Sequence, residues 1–140
     1  MADRARAVRR LVVLIADDNG DTREMYAVHL TALGYKVETA RDGVEAVNQA
    51  RSKHPDVIVL DLQMPGVDGW RAMKDLAGDP NTRNIPIIVL TGHDLKDYLK
   101  TAALAVGATS YLRKPSLPEE LAREVNERLS SSKRRSATAS

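Results

Sequence analysis

The 140-residue sequence contains no cysteine. A disulfide framework, a thiol nucleophile and a zinc site built on thiolates are therefore excluded. No stretch approaches the ~18 uncharged apolar residues of a membrane span. The basic segment Met1 to Arg10 leads into only six apolar residues, Leu11 to Ala16, too few for the core of a secretory signal. A reducing cytoplasm is the expected setting, with no membrane partner. The chain also lacks a strong charge of one sign, with 21 Lys+Arg against 19 Asp+Glu and a net of +2. That small net hides a split. Residues 1–10 and 131–140 carry seven basic side chains and one acid, whereas residues 11–130 carry 14 basic and 18 acidic side chains, net −4. An acidic body argues against a dedicated nucleic-acid-binding face, so no specific nucleic-acid partner is expected. What the chain does have is 43% hydrophobic residues, enough for one core in a single domain and too many for whole-chain disorder.

The apolar residues come in five short runs separated by helical patterns. Leu11 to Ala16 and Asp56 to Asp61, the latter closed by a carboxylate, carry continuous apolar runs rich in branched residues, as in strands buried on both faces. Tyr35 to Thr39 alternates, Pro86 to Thr91 begins with a proline tolerated at a strand start, and Thr109 to Leu112 is a short fifth strand. Between them, Tyr26, Leu30 and Leu33 fall at helical spacing before a stop at Gly34. A second helix carries Val47 and Ala50 after the capping-box form Asp42–Glu45, and a third carries Trp70, Met73 and Ala77. A fourth runs from Leu95 to Val106 and ends at Gly107, and a fifth, opened by a second capping-box form at Ser116–Glu119, carries Leu121, Val125 and Leu129. Five strand–helix alternations predict an α/β fold, a five-stranded parallel sheet with helices on both faces and right-handed crossovers. The expected organisation is a basic N-terminal extension over 1–10, a folded domain over 11–130 and a disordered Ser-rich basic tail over 131–140, with no output domain after Leu129.

In such sheets ligands bind beyond the carboxyl ends of the strands. Those ends hold Asp17 and Asp18 after the first strand, Asp61 at the third, Thr91 at the fourth, and Lys114-Pro115 after the fifth. Three carboxylates brought together repel one another unless a proton is shared, a cation binds or they point apart. Hard oxygen donors without His or Cys suit Mg²⁺ rather than zinc. A carboxylate can also attack phosphorus to give an aspartyl-phosphate. In that reaction a metal beside Asp61, the Lys114 ammonium and the Thr91 hydroxyl would each serve a phosphoryl oxygen, and Gly92 would leave room. The plainer readings are that Asp17 and Asp18 cap the first helix, Asp61 starts a turn, Lys114 is a solvated lysine and Tyr111 is packing. There is no Gly-x-Gly-x-x-Gly after the first strand, and acids stand where phosphates would need amide donors, so flavin and dinucleotide binding are rejected.

With Asp17-Asp18, Asp61-Leu-Gln-Met-Pro-Gly66, Thr91-Gly92 and Lys114-Pro115 in this order, the sequence resembles the receiver domains of two-component response regulators. Asp61 stands 30 residues before Thr91, and Thr91 stands 23 before Lys114. The resemblance spans about residues 11–130 and is nearest in organisation to stand-alone chemotaxis receivers. It implies a flavodoxin-like sheet of order 2-1-3-4-5. It implies Asp61 as phosphoacceptor, Asp18 as direct Mg²⁺ ligand, Asp17 acting largely through water, and the Gln63 carbonyl completing the protein's share of the metal shell. It implies Thr91 and Tyr111 as a switch pair, Lys114 as the phosphoryl's counter-charge, and a cis bond before Pro115. The implied partners are a sensor histidine kinase or histidine phosphotransfer protein, and a downstream protein target. Gln63 and His93 occupy positions expected to tune phosphoryl lifetime. Two other functions compete: an Asp-nucleophile phosphatase, which would want an acid where Gln63 stands, and a receiver-like scaffold that is never phosphorylated.

Overall fold

The computed structural model of the chain describes residues 10–64, 69–92 and 97–139, residues 97–99 and 132–139 by their backbone alone. Nearly all of the basic N-terminal extension, the turn residues Pro65 and Gly66, His93 and Leu95 lie outside the described residues.

Five strands and five helices alternate: β1 (Val12–Ala16), α1 (Gly20–Ala32), β2 (Lys36–Ala40), α2 (Gly43–Lys53), β3 (Val57–Asp61), α3 (Gly69–Gly78), β4 (Ile87–Thr91), α4 (Asp97–Val106), β5 (Ser110–Arg113) and α5 (Pro118–Ala139). All strand pairings are parallel, in the order β2-β1-β3-β4-β5. The inner strands β3 and β4 are buried along their whole length, whereas the edge strands β2 and β5 are partly open.

Because successive strand side chains point to opposite faces, each inner strand feeds two cores. Leu14, Ala16, Ile58, Leu60, Ile87 and Val89 pack with residues of α2, α3 and α4. Val13, Ile15, Val57, Val59, Ile88 and Leu90 pack with Tyr26 and Leu30 of α1 and Leu121 and Val125 of α5. Each fully buried Leu, Ile or Val contributes about 1.5–3 kcal/mol relative to exposure. The anticipated inner stripes hold in part: Trp70 and Leu129 are half-buried against the cores, α3 buries Ala72, Met73 and Leu76 with Ala77 only half-buried, and Leu33 is 56% exposed. It is the C-cap of α1, and the chain turns away there into Gly34 at φ 103°.

The helix ends show how local chemistry differs from the pattern. α1 is capped by Asn19, whose side chain accepts from the Thr22 N–H at 3.0 Å; capping is not the role of Asp17 or Asp18. Asp42 caps α2 by accepting from the Glu45 N–H, and Glu45 reaches back one residue further than a simple box, to the Arg41 N–H. The expected box at Ser116–Glu119 does not form: Ser116 donates its hydroxyl to the Arg113 carbonyl, and Glu120 accepts from the Leu117 N–H at 3.0 Å, half of a box one residue later. Finally, α5 is helical to Ala139, where a disordered tail from 131 was expected. No Gly or Pro occurs between 119 and 140 to stop it.

Candidate functional site

Parallel strands put all their carboxyl ends on one edge of the sheet, and β1 and β3 are neighbours with Ala16 opposite Leu60. The residues that follow, Asp17 and Asp61, are therefore adjacent by register. Carboxylate oxygens of Asp17, Asp18 and Asp61 all lie within 4.8 Å of one another. Asp17 and Asp61 are buried and Asp18 is exposed.

Lys114 joins them from the far side of the sheet. Its backbone N–H donates to the Thr91 carbonyl at 2.6 Å, which carries the chain from the end of β5 back toward β4. Its ammonium then donates to Asp61 Oδ2 at 2.9 Å and Asp17 Oδ2 at 3.2 Å. The Lys114–Pro115 peptide is cis. The other carboxylate oxygens are held by the backbone: the Asn19 N–H donates to Asp17 Oδ1 and the Gln63 N–H to Asp61 Oδ1, each at 2.9 Å. Arg23 donates to the Asp17 carbonyl at 2.7 Å and so pins the turn between β1 and α1.

The electrostatics are those of a cation-binding pocket. Burial pushes the Asp17 carboxyl up, the Asn19 amide and Lys114 pull it back, and the charge of Asp61 raises it again, with a net upward displacement. Burial alone would lower Lys114, but its hydrogen bond to Asp61 and the charges of Asp61 and Asp17 outweigh that and raise it. The ammonium bonds Asp17 and Asp61, while the third carboxylate of the cluster, Asp18, is exposed. A compact set of hard oxygens carrying surplus negative charge fits Mg²⁺, and among the described residues the cluster holds carboxylates alone, which does not suit a softer metal.

The remaining expected residues divide. Thr91 is fully buried at the end of β4, and its hydroxyl donates to the Leu112 carbonyl over a long 3.4 Å. The Gln63 side chain is exposed and rests against Gly92, 3.0 Å from where a Cβ would stand; the room beside Gly92 is taken by that carboxamide. Tyr111 lies outside the pocket, 38% exposed, with the Lys100 ammonium 5.2 Å from its ring centre. His93 lies outside the described residues.

Sequence reasoning passed over three supporting residues. A Cβ at Gly69 would run into the Asp61 carbonyl oxygen and the Leu62 Cα, so α3 can start against the end of β3 only with glycine there. Its place in a run of turn residues concealed this. Arg23 carries no signal in the sequence beyond that of an arginine on a helix. Tyr26, read as plain core, is buried but donates its hydroxyl to the Ser116 carbonyl at 2.8 Å, and burial raises its phenol above the ordinary range.

Known proteins resemble this chain in sequence and fold. A family model for the response regulator receiver domain matches residues 13–126. Response regulator MprA of Mycobacterium tuberculosis (strain ATCC 25618 / H37Rv) is 41% identical over 109 residues, 78% of this chain and 46% of that protein. The chain thus spans about half the length of the curated relatives it matches. Among solved structures, the chemotaxis response regulator CheY4 of Vibrio cholerae aligns with a TM-score of 0.80 at 35% identity, covering 86% of this chain and 100% of that one. The receiver domain of the Francisella response regulator 1452 aligns with a TM-score of 0.79 at 31% identity, covering 87% and 98%. Matched motifs, strand order and clustered carboxylates agree, and the chain belongs to the receiver-domain family of two-component response regulators.

Proposed function

We propose that Asp61 accepts a phosphoryl group from the phosphohistidine of a sensor histidine kinase or histidine phosphotransfer protein, and that the added charge switches a protein-binding face. The observation that carries this reading is the Lys114 ammonium, 2.9 Å from Asp61 and 3.2 Å from Asp17 within a three-carboxylate cluster.

An oxygen of Asp61 attacks phosphorus, the bond from phosphorus to the histidine nitrogen breaks, and its electron pair leaves on the imidazole. The negative charge stays on the phosphoryl oxygens now attached to Asp61. Lys114, already at Asp61 Oδ2, neutralises one of them. Asp17, Asp18, Asp61 and the Gln63 carbonyl would hold Mg²⁺, which when bound supplies further charge neutralisation at those oxygens. Thr91 exchanges its long bond to the Leu112 carbonyl for a shorter one to the phosphoryl group. The Tyr111 ring then moves from its exposed position into the space that is vacated. The face formed by α4, β5 and α5 changes, and a downstream protein reads it.

The chain turns over no outside substrate on this reading; it catalyses only its own phosphorylation and loss of phosphoryl. The acidic body between 11 and 130 supports a protein target over nucleic acid. Exposed Met25 on α1 and Leu117 beside Lys114 offer an apolar contact to a donor approaching Asp61. Among the described residues no helix is long and apolar enough to cross a membrane, and the cytoplasm remains part of the proposal.

Phosphotransfer from phosphorylated histidine kinases tests it. Stoichiometric labelling is expected, dependent on Mg²⁺ and lost in Asp61→Asn. Steady turnover of an organic phosphate would favour a phosphatase, and signalling that survives Asp61→Asn would favour a scaffold.

A further inference from the structure

Tyr26 is a buried polar side chain beside the pocket that the phosphoryl chemistry leaves without a role. It is 2% exposed, in the middle of α1, where an apolar residue would pack without needing a partner. A buried phenol hydroxyl does need one. Its bond runs across the fold to the Ser116 carbonyl at 2.8 Å, two residues beyond Lys114. Tyr26, Lys114, Pro115 and Ser116 line one cavity of about 340 Å³ together with Thr22 and Met25 of α1.

The segment carrying Lys114 is thereby tied on both sides. Before it, the Lys114 N–H is bonded to the Thr91 carbonyl, and the Ser116 hydroxyl donates back to the Arg113 carbonyl, both at 2.6 Å. After it, Tyr26 ties the Ser116 carbonyl to α1. The same helix fixes the Asp17 turn, through Arg23 to the Asp17 carbonyl and through its cap Asn19, whose N–H donates to Asp17 Oδ1. One rigid element therefore sets the distance between the acidic turn and the segment that bears the ammonium. A lysine head sits on a flexible four-carbon stem, so its placement depends on where its backbone is held.

We propose that Tyr26 is a positioning residue: through the Ser116 carbonyl it holds the backbone of Lys114 where the ammonium meets the phosphoryl oxygens at Asp61. This rests on the reading of Asp61 as the phosphoryl acceptor. Asp17 and Asp61 are also held by the Asn19 and Gln63 amides, so removing the phenol hydroxyl slows the phosphoryl step without a matching loss of Mg²⁺ affinity.

The test compares the wild type, Tyr26→Phe and Thr82→Val. Thr82 makes a like bond, hydroxyl to the Leu76 carbonyl at 2.7 Å, in the loop before β4 at the other end of the sheet. Phosphorylation by acetyl phosphate at saturating Mg²⁺ is followed by intact mass, and Mg²⁺ affinity is measured by calorimetry. The expected result is a rate about three- to tenfold lower in Tyr26→Phe, with Mg²⁺ affinity unchanged and Thr82→Val as fast as wild type. Equal rates for Tyr26→Phe and wild type overturn the proposal. So does an equal slowing in both variants, or a matching loss of Mg²⁺ affinity in Tyr26→Phe, because each reports general loosening. A wild type that takes no label overturns the acceptor reading of Asp61 itself, and this proposal with it.

Discussion

Asp17 is fully buried and its carboxyl is displaced upward, first by that burial and further by the charge of Asp61, against the pull of the Asn19 amide and Lys114. A carboxyl whose folded pKa lies above its unfolded value stabilises the fold least where it is ionised. Its contribution is fully present below the unfolded value and is lost as pH rises through the folded one. Asp17→Asn removes that charge while Lys114 keeps Asp61 as its partner. The variant is expected to be more stable by about 1 kcal/mol at pH 7, measured by urea denaturation, with the gain shrinking toward acid pH and Mg²⁺ binding weakened. At this scale the sequence was legible where a residue's chemistry is scarce. Carboxylates at strand ends and a lysine before a proline stand out. Tyr26 and Arg23 did not, because a tyrosine on an inner stripe and an arginine on a helix are common and their partners lie across the fold or in the preceding turn.

The elements position the site through their ends rather than their interiors. Every strand was readable to within one residue, because branched apolar runs leave little choice in a parallel sheet. Junctions were harder. The capping box expected before α5 is not made, since Ser116 turns its hydroxyl back to the Arg113 carbonyl and Glu120 alone serves the Leu117 N–H. The start of α3 depends on Gly69, where a side chain would collide with backbone at the end of β3. Backbone cannot yield as a flexible side chain can. Gly69→Ala is therefore expected to lower stability by about 1–3 kcal/mol and to disturb Asp61, read as a lower denaturation midpoint together with slower phosphorylation. An unchanged midpoint would show that α3 can shift away freely.

Across the whole molecule, two cores on opposite faces of one sheet hold five strand ends in fixed register. Strand order could not be derived from periodicity; it came with the resemblance, because order is set by which crossovers pack and not by any local pattern. The convergence of Asp17, Asp18, Asp61 and Lys114 follows from that order, with β1 beside β3 and the loop after β5 bonded to the end of β4. The central claim is that this convergence makes Asp61 a phosphoryl acceptor. Intact mass after incubation with acetyl phosphate and Mg²⁺ tests it most directly. The account predicts a gain of one phosphoryl group per chain, absent when Mg²⁺ is chelated and absent in Asp61→Asn. No gain in the wild type, or an undiminished gain in Asp61→Asn, would contradict it.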